Sequence, residues 1–370
     1  MKELCIKDIC KKDSSSLKQK ELKESGQYPV YGASGVAGYL DSYQRGESYI
    51  GIVKDGSGIG RVAFYPEKTS LIGTMQYILP KEGYDIRYIG YCLQSLDLSK
   101  YKQGAAIPHI YFRDYGERKV NVTNDLKEQQ RIVSRLDSAF AHIDKLKANA
   151  EKQLSEARTL FQKSLTKAME PKEGWEEKQL SSIVHSECSL SYGIVQPGDH
   201  VENGIPVVRP VDFNNKLIVG IEGLKRTKKE ISDAYKRTIL KGGEILFCVR
   251  GTTGTMGLAS KELCGCNVTR GIVPMFFDED TNLMFVYYQL LSARLQDEIQ
   301  KETTGAALKQ INIKDLRNLQ LYLPPLSEQQ RIVSRLDSLS AHVRELEEVL
   351  QKTIVECDAL KQALLRKVFE

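Results

Sequence analysis

The chain lacks most of the signatures by which enzymes announce themselves. It has no G-x-x-x-x-G-K-[ST] loop, which excludes a P-loop nucleotide site, and no H-E-x-x-H pair. Its five histidines (His109, His142, His185, His200 and His342) fall at no ligand spacing. None of its eight cysteines forms a C-x-x-C pair; Cys264 and Cys266 stand two apart, a poor zinc spacing, so reduced thiols are expected. No Asn-Pro-Pro-aromatic run is present, of the kind amino-methyltransferases use to hold a flipped adenine. "GSGIG" (Gly56–Gly60) matches a dinucleotide loop only in part, and the strand-like "RVAFYPE" follows where a helix should open. The most apolar stretch, "MFVYYQLL" (Met284–Leu291), is far too short to span a bilayer, and "MKELCIKDICKKD" is too polar for a signal peptide. A cytoplasmic location is therefore expected, and no coherent active site emerges.

What is present is repetition. The 370 residues allow two or more domains, and the net charge of +5 fits a polyanionic partner without demanding one. "EQQRIVSRLDS" occurs at Glu128–Ser138 and again, 200 positions on, at Glu328–Ser338. Each copy opens a long run without Gly or Pro in which apolar residues step by four and three, the seam of a coiled coil. The first seam reads Ile132, Leu136, Ala139, Ile143, Leu146, Ala150, Leu154, Ala157, Leu160, Leu165. The second reads Ile332, Leu336, Leu339, Val343, Leu346, Leu350, Ile354, Cys357, Leu360, Leu364. Two successive steps of four at the same place in each predict a stutter that locally unwinds the supercoil. Asp125 is the expected N-cap of the first helix, and Ser327, after Pro324-Pro325, that of the second, with Gln330 at the capping-box position. Each helix should run about 43 residues, or about 64 Å. An apolar stripe that long needs a partner, and the nearest one is the other copy.

The remaining segments are rich in Gly, Tyr, Val, Ile and Thr and read as mixed, β-rich domains. They also repeat weakly. "YPVYGA" (Tyr28–Ala33) parallels "IPVVRP" (Ile205–Pro210), and "RGESYIGIVKDGSGIG" (Arg45–Gly60) parallels "KGGEILFCVRGTTGTMG" (Lys241–Gly257). "GAAIPHI" (Gly104–Ile110) parallels "GAALKQI" (Gly305–Ile311), and Met1–Ile6 parallels Trp175–Leu180. The expected fold is α+β: globular domains at 1–124 and 171–325, long antiparallel coiled-coil helices at 125–170 and 326–370, and an internal pseudo-two-fold repeat.

Binding chemistry is easier to find than catalysis. Leu224–Lys241 carries seven Lys or Arg against Glu230 and Asp233, the footprint of a phosphate-binding surface or of a plain solvated one. The loops Lys54–Arg61 and Arg250–Met256 each offer a cation and small hydroxyl residues on a glycine-permitted turn. In this alignment Lys54 and Arg250 are equivalent. Tyr28, Tyr31, Tyr39 and Tyr43 crowd a Gly-rich segment and are read partly as β-core.

"YPVYGASGVAGYLDSY", "GESYIGIVKDGSGIG", "GWEEKQLSSI" and above all "LPPLSEQQRIVSRLDSL" with its heptad helix resemble the specificity subunit of type I restriction–modification systems. The resemblance covers essentially the whole chain; "NDLKEQQ" in place of "PPLSEQQ" departs from the pattern and predicts a different entry turn to the first helix. It implies two target-recognition domains, each reading one half of a bipartite, asymmetric duplex DNA site. It implies that the helices space the domains and dock two modification subunits and two restriction subunits. Catalysis and its S-adenosylmethionine, ATP and Mg2+ would reside in those partners, with no cofactor or metal in this chain. The expected DNA-contacting residues are Tyr31, Lys54, Ser57, Arg61 and His109 in the first domain. In the second they are Arg209, Lys225, Arg226, Lys228, Lys229, Arg250, Thr252, Thr253, Thr255, Lys309 and Gln310. The expected docking and seam residues are Gln129, Arg131, Ile132, Leu136 and Ile143, with Gln329, Arg331, Ile332, Leu336, Leu339 and Val343. Two rival readings are a metal-dependent nuclease built from Asp, Glu and Lys, and a coiled-coil scaffold that binds only proteins.

Overall fold

The computed structural model describes residues 1–104, 108–213, 217–305 and 309–370. Positions 105–107 of "GAAIPHI" and 306–308 of "GAALKQI" thus lie outside the described residues. The chain forms two compact units: Met1–Gln153 with Val349–Glu370, and Leu154–Glu348. Each contains one globular body, the first part of one long helix and the last part of the other.

The two bodies share one plan. In each, a four-stranded, a three-stranded and a two-stranded sheet are present. In the first unit the all-buried strand Tyr49–Val53 pairs antiparallel with Val62–Tyr65 and with Met75–Pro80. In the second, Ile245–Cys248 pairs in the same way with Met256–Ala259 and Ile272–Met275. Tyr28–Gly32 and Ile205–Val208 each have one antiparallel and one parallel neighbour. Lys2–Cys5 pairs with Lys119–Val122, and Glu176–Gln179 with Gln320–Leu323, so each pair joins the start of a body to the strand that feeds its long helix. Three of the four sequence parallels thus fall on equivalent strands, and the described residues of the fourth, at 104–110 and 305–311, lie in no strand.

The long helices run Leu126–Met169 and Leu326–Phe369. Asp125 caps the first, its carboxylate accepting from the Lys127 N–H at 3.0 Å. Ser327 does not cap the second. The helix begins at Leu326, and the carbonyl of Pro325 accepts the first helical bonds, from Glu328 and Gln329. The proline fixes the entry, so the serine falls inside the first turn.

The helices pack antiparallel within each unit. In the first, Ile132, Val133 and Leu136 share a core with Leu365 and Phe369. In the second, Ile332, Val333 and Leu336 share one with Leu165 and Met169. The expected seam holds at its ends and at its centre, where Ala150, Leu154, Ala157, Leu350 and Cys357 are buried, and fails at four leucines. Leu146, Leu160, Leu346 and Leu360 are 52, 57, 43 and 49% exposed. The inward places next to them belong to Lys147, Phe161, Glu347 and Lys361, each half-buried. Hydrophobicity pointed to the leucines because three of the four inward residues are charged. No helix among the described residues is long and apolar enough to cross a membrane.

Candidate nucleic-acid interface

The shared eleven-residue phrase attaches each body to its helix. Gln129 is fully buried. Its side-chain oxygen accepts from the Asp85 N–H at 2.7 Å, and its amide donates to the carbonyls of Gly83 and Thr123 at 3.0 and 2.8 Å. Gln329 accepts from the Asn282 N–H at 2.8 Å and donates to the Pro324 carbonyl at 2.9 Å. Asp85 and Asn282 cap the helices Ile86–Ser95 and Leu283–Leu291. One turn further along these helices, Tyr91 donates to Asp137, and Tyr288 to Asp337 at 2.7 Å. Gln129 and Gln329 are therefore internal ties, closed off from any partner. Arg131 and Arg331 are exposed and bridged to Glu128 and Glu328. Ile132, Leu136, Ile143, Ile332 and Leu336 are buried in the seam, and Leu339 and Val343 half-buried.

The glycine loops align one residue away from the sequence pairing. The Lys54 carbonyl accepts from the Ile110 N–H at 3.0 Å, and the matching acceptor in the second body is Val249, from Ile311 at 3.0 Å. The next residues, Asp55 and Arg250, form bridges to His109 and Gln310. Arg250 is thus equivalent to Asp55, not to Lys54. The first loop is also one residue longer, so strand register, not residue type, decides the match. Gly60 (φ +83°) and Gly254 (φ +90°) close the two loops; a Cβ there would lie 2.8 Å from Ser99 N and 2.7 Å from Gln296 Oε1. The N–H groups of Gly56, Gly60 and Arg61 are already bonded to Pro108, Val53 and Gly58, and those of Gly251 and Gly254 to Lys309 and Cys248. These loops are tight hairpin closures with few backbone donors left for an anion.

Side chains differ sharply at the matched position. In the first body the Asp55 carboxylate meets His109 Nδ1, and the His109 ring lies 4.1 Å from that of Tyr111. The Arg113 guanidinium covers Tyr111 at 4.6 Å, which leaves an acidic and aromatic edge that is partly exposed. In the second body a pocket of about 190 Å³ is lined by Tyr192, Val195, Val249, Arg250, Arg270 and Gln310. Among the described residues, neither Arg250 nor Arg270 is paired with a carboxylate. Sequence reasoning missed Asp55, Tyr111, Arg113, Tyr192 and Arg270; the strand register that brings them together is not local in the chain.

The other expected contacts scatter. Ser57, Thr252, Thr255, Lys309 and Gln310 are exposed, and Lys54 half-buried. Arg61 is exposed and donates to the Ala33 carbonyl at 2.9 Å. Tyr31 lies in a strand with its ring 4.9 Å from Tyr65. Thr253 is buried, its hydroxyl without a partner. Arg209 is held by Asp212 through Nε and Nη2, which keeps its guanidinium charged and occupied. Within the basic run, Lys225 and Arg226 sit half-buried in the strand Lys225–Thr227, and Arg226 donates to the Gly204 carbonyl at 3.1 Å. Lys228, Lys229, Lys236 and Arg237 are exposed and, among the described residues, pair with no carboxylate. Lys241 is bound to Glu187.

The family model for the type I restriction modification DNA specificity domain matches residues 1–156 and 172–356. The EcoBI type I restriction enzyme specificity subunit of Escherichia coli is 28% identical over 269 residues, covering 66% of this chain and 56% of its own length. The putative MjaX specificity subunit of Methanocaldococcus jannaschii is 24% identical over 97% of this chain and 90% of its own. The chain spans little more than half the length of EcoBI and of the StySPI subunit of Salmonella potsdam. Two solved structures share the fold. One, from work on complex assembly and conformational transition of the type I R-M system, has a TM-score of 0.74 at 18% identity, covering 99% of this chain and 97% of that one. The other, the HsdS subunit of Thermoanaerobacter tengcongensis, has a TM-score of 0.54 at 17% identity, covering 99 and 96%. With the specificity domain matched twice along one duplicated architecture, the chain belongs to the type I restriction–modification specificity subunits.

Proposed function

We propose that the chain is the non-catalytic DNA-reading subunit of a type I restriction–modification complex. Each globular body reads one half of a bipartite, asymmetric duplex site, and the helices dock two modification subunits and two restriction subunits. S-adenosylmethionine, ATP and Mg2+ belong to those partners. The observation that carries this reading is the contrast between what the repeat keeps and what it changes. The attachment of body to helix is kept residue for residue, at Gln129 and Gln329 and at Asp137 and Asp337. The edge that faces outward is changed, from Asp55 with His109 to Arg250 with Gln310. Arg donates to guanine O6 and N7, whereas a carboxylate accepts from a cytosine or adenine amino group. Two such edges prefer different bases. The exposed cations Lys228, Lys229, Lys236 and Arg237 suit the phosphate backbone of one half-site.

Docking falls to what both helices expose alike. Arg131 and Arg331, Arg135 and Arg335, Leu146 and Leu346, and Leu160 and Leu360 are repeat-mates and exposed. Matched surfaces suit two copies of one partner. In the second unit, Leu160, Arg331 and Arg335 border a groove of about 570 Å³.

The test is DNA binding by the chain together with its modification subunits. Affinity should be specific for one duplex sequence and fall steeply with salt. Indifference to both salt and sequence would favour a protein-only scaffold, and metal-dependent cleavage by the purified chain alone would favour a nuclease.

A further inference from the structure

Ion pairs cross between the long helices, and Lys147–Asp358, Lys361–Asp144 and Arg158–Glu347 have the same form. Lys147 reaches Asp358 at 2.7 Å, Lys361 reaches Asp144, and Arg158 Nε reaches Glu347 at 2.7 Å. One member sits at an inward place, with Lys147, Lys361 and Glu347 between 26 and 29% exposed. The other lies on the flank, between 61 and 63% exposed. The first two pairs lie in one unit, the third in the other. The repeat makes 347 the mate of 147 and 358 the mate of 158. Equivalent pairs therefore have opposite polarity: the N-terminal helix supplies the inward cation at Lys147, and the C-terminal helix supplies the inward anion at Glu347.

Bulk is swapped as well as charge. Beside Tyr91 lies Phe140, ring centroids 5.4 Å apart, with the Lys361 ammonium 5.4 Å from the Phe140 ring. Beside the equivalent Tyr288 the mate of Phe140 is Ser340, and the mate of Lys361 is Phe161, its ring 6.5 Å away. Each layer holds one phenylalanine, contributed by the start of the first helix in one case and by its end in the other.

We infer that these positions form a selectivity lock that makes each long helix pair with the other kind and rejects a copy of itself. A first helix laid in the same register on its own copy sets Lys147 against Arg158, Asp144 against Phe161, and puts two phenylalanines in one layer. A second helix on its own copy sets Glu347 against Asp358 and Arg344 against Lys361, and leaves the layer without a phenylalanine. Exposed ion pairs add little stability, but partner choice is a difference, and here every alternative carries like charges where the observed pairing has opposite ones. On the two-body reading of DNA the consequence is that each subunit presents one body of each kind; the lock itself does not depend on that reading.

The experiment compares full-length variants by sedimentation and thermal melting. R158E/D358K turns the intrachain pairs at 158–347 and 147–358 into like charges and makes both self-pairings attractive. The inverted K147E/R158E/E347R/D358K restores those two intrachain pairs with reversed sign and leaves Lys361–Asp144 as it is. R158E/D358K should gain a dimer relative to the unsubstituted chain and melt lower, and the inverted chain should regain the original mass and melting temperature. If R158E/D358K is insoluble, R158E alone should lower the melting temperature and R158E/E347R recover it. An unchanged mass and melting point for R158E/D358K, dimerisation of the inverted chain, or no recovery in R158E/E347R would overturn the lock.

Discussion

The side chain of Gln129 takes a hydrogen bond from the backbone N–H of Asp85, 44 residues upstream, at 2.7 Å. The repeat reproduces that tie as Gln329 to Asn282. Gln129→Ala leaves the Asp85 N–H and the Gly83 and Thr123 carbonyls without this partner. A loss of about 2–4 kcal/mol is expected. Gln130→Ala, on the exposed face, should stay within about 0.5 kcal/mol. Chemical denaturation of both variants measures the difference; equal stability would mean that the buried amide is replaced by water at no cost.

Substitutions at inward and outward leucines should separate folding from the proposed docking. Leu336 is 2% exposed in the core of the second unit. Leu336→Asp should destabilise by about 4 kcal/mol or more, because it buries an unpaired carboxylate. Leu346→Asp, at a residue 43% exposed, should leave the melting temperature nearly unchanged while weakening capture of the modification subunit. Pull-down and melting of the two variants side by side distinguish these roles.

The thiols should react in order of exposure. Burial pushes Cys10 and Cys248 up to about 12, and raises Cys92 and Cys188 as well. At neutral pH these groups are protonated and shielded, so they are poor nucleophiles. Cys264 is exposed and should label first with an alkylating reagent. The sign for the buried thiols is fixed: folding favours their protonated form. Their contribution to stability is full below the ordinary thiol range and falls as pH rises through the shifted values. Peptide mapping after a brief pulse checks the order; early labelling of Cys248 would show that the central strand of the second body opens.

Arg250 and Asp55 should act on different halves of the DNA site. Arg250→Ala is expected to relax the preference at one position of one half-site by about 1–3 kcal/mol, with assembly intact. Asp55→Asn should alter only the other half-site. Competition binding with single-base variants of the duplex reads both. A change in both half-sites from either variant would contradict separate reading by the two bodies.

The repeat, the two long helices and the β-rich bodies were legible because they are local signals: an eleven-residue identity, heptad spacing, turn residues. The charged inward positions were not. Lys147, Glu347 and Lys361 break a hydrophobic pattern, and their cross-helix partners are 189 to 217 residues away in sequence. The proposed binding edge was half legible. Its loops stand out by their glycines, but the equivalence of Asp55 with Arg250 depends on bridges to His109 and Gln310 across tens of residues. The role of Gln129 was hidden too. A polar residue on a helix reads as surface until the body that buries it is placed.

The most direct measurement is a map of modified bases in DNA from cells that carry this chain and its modification subunit. The account predicts methylation at a split motif whose two halves differ and respond separately to changes in the two bodies. Methylation at a continuous motif, or a motif that changes with only one body, would contradict it.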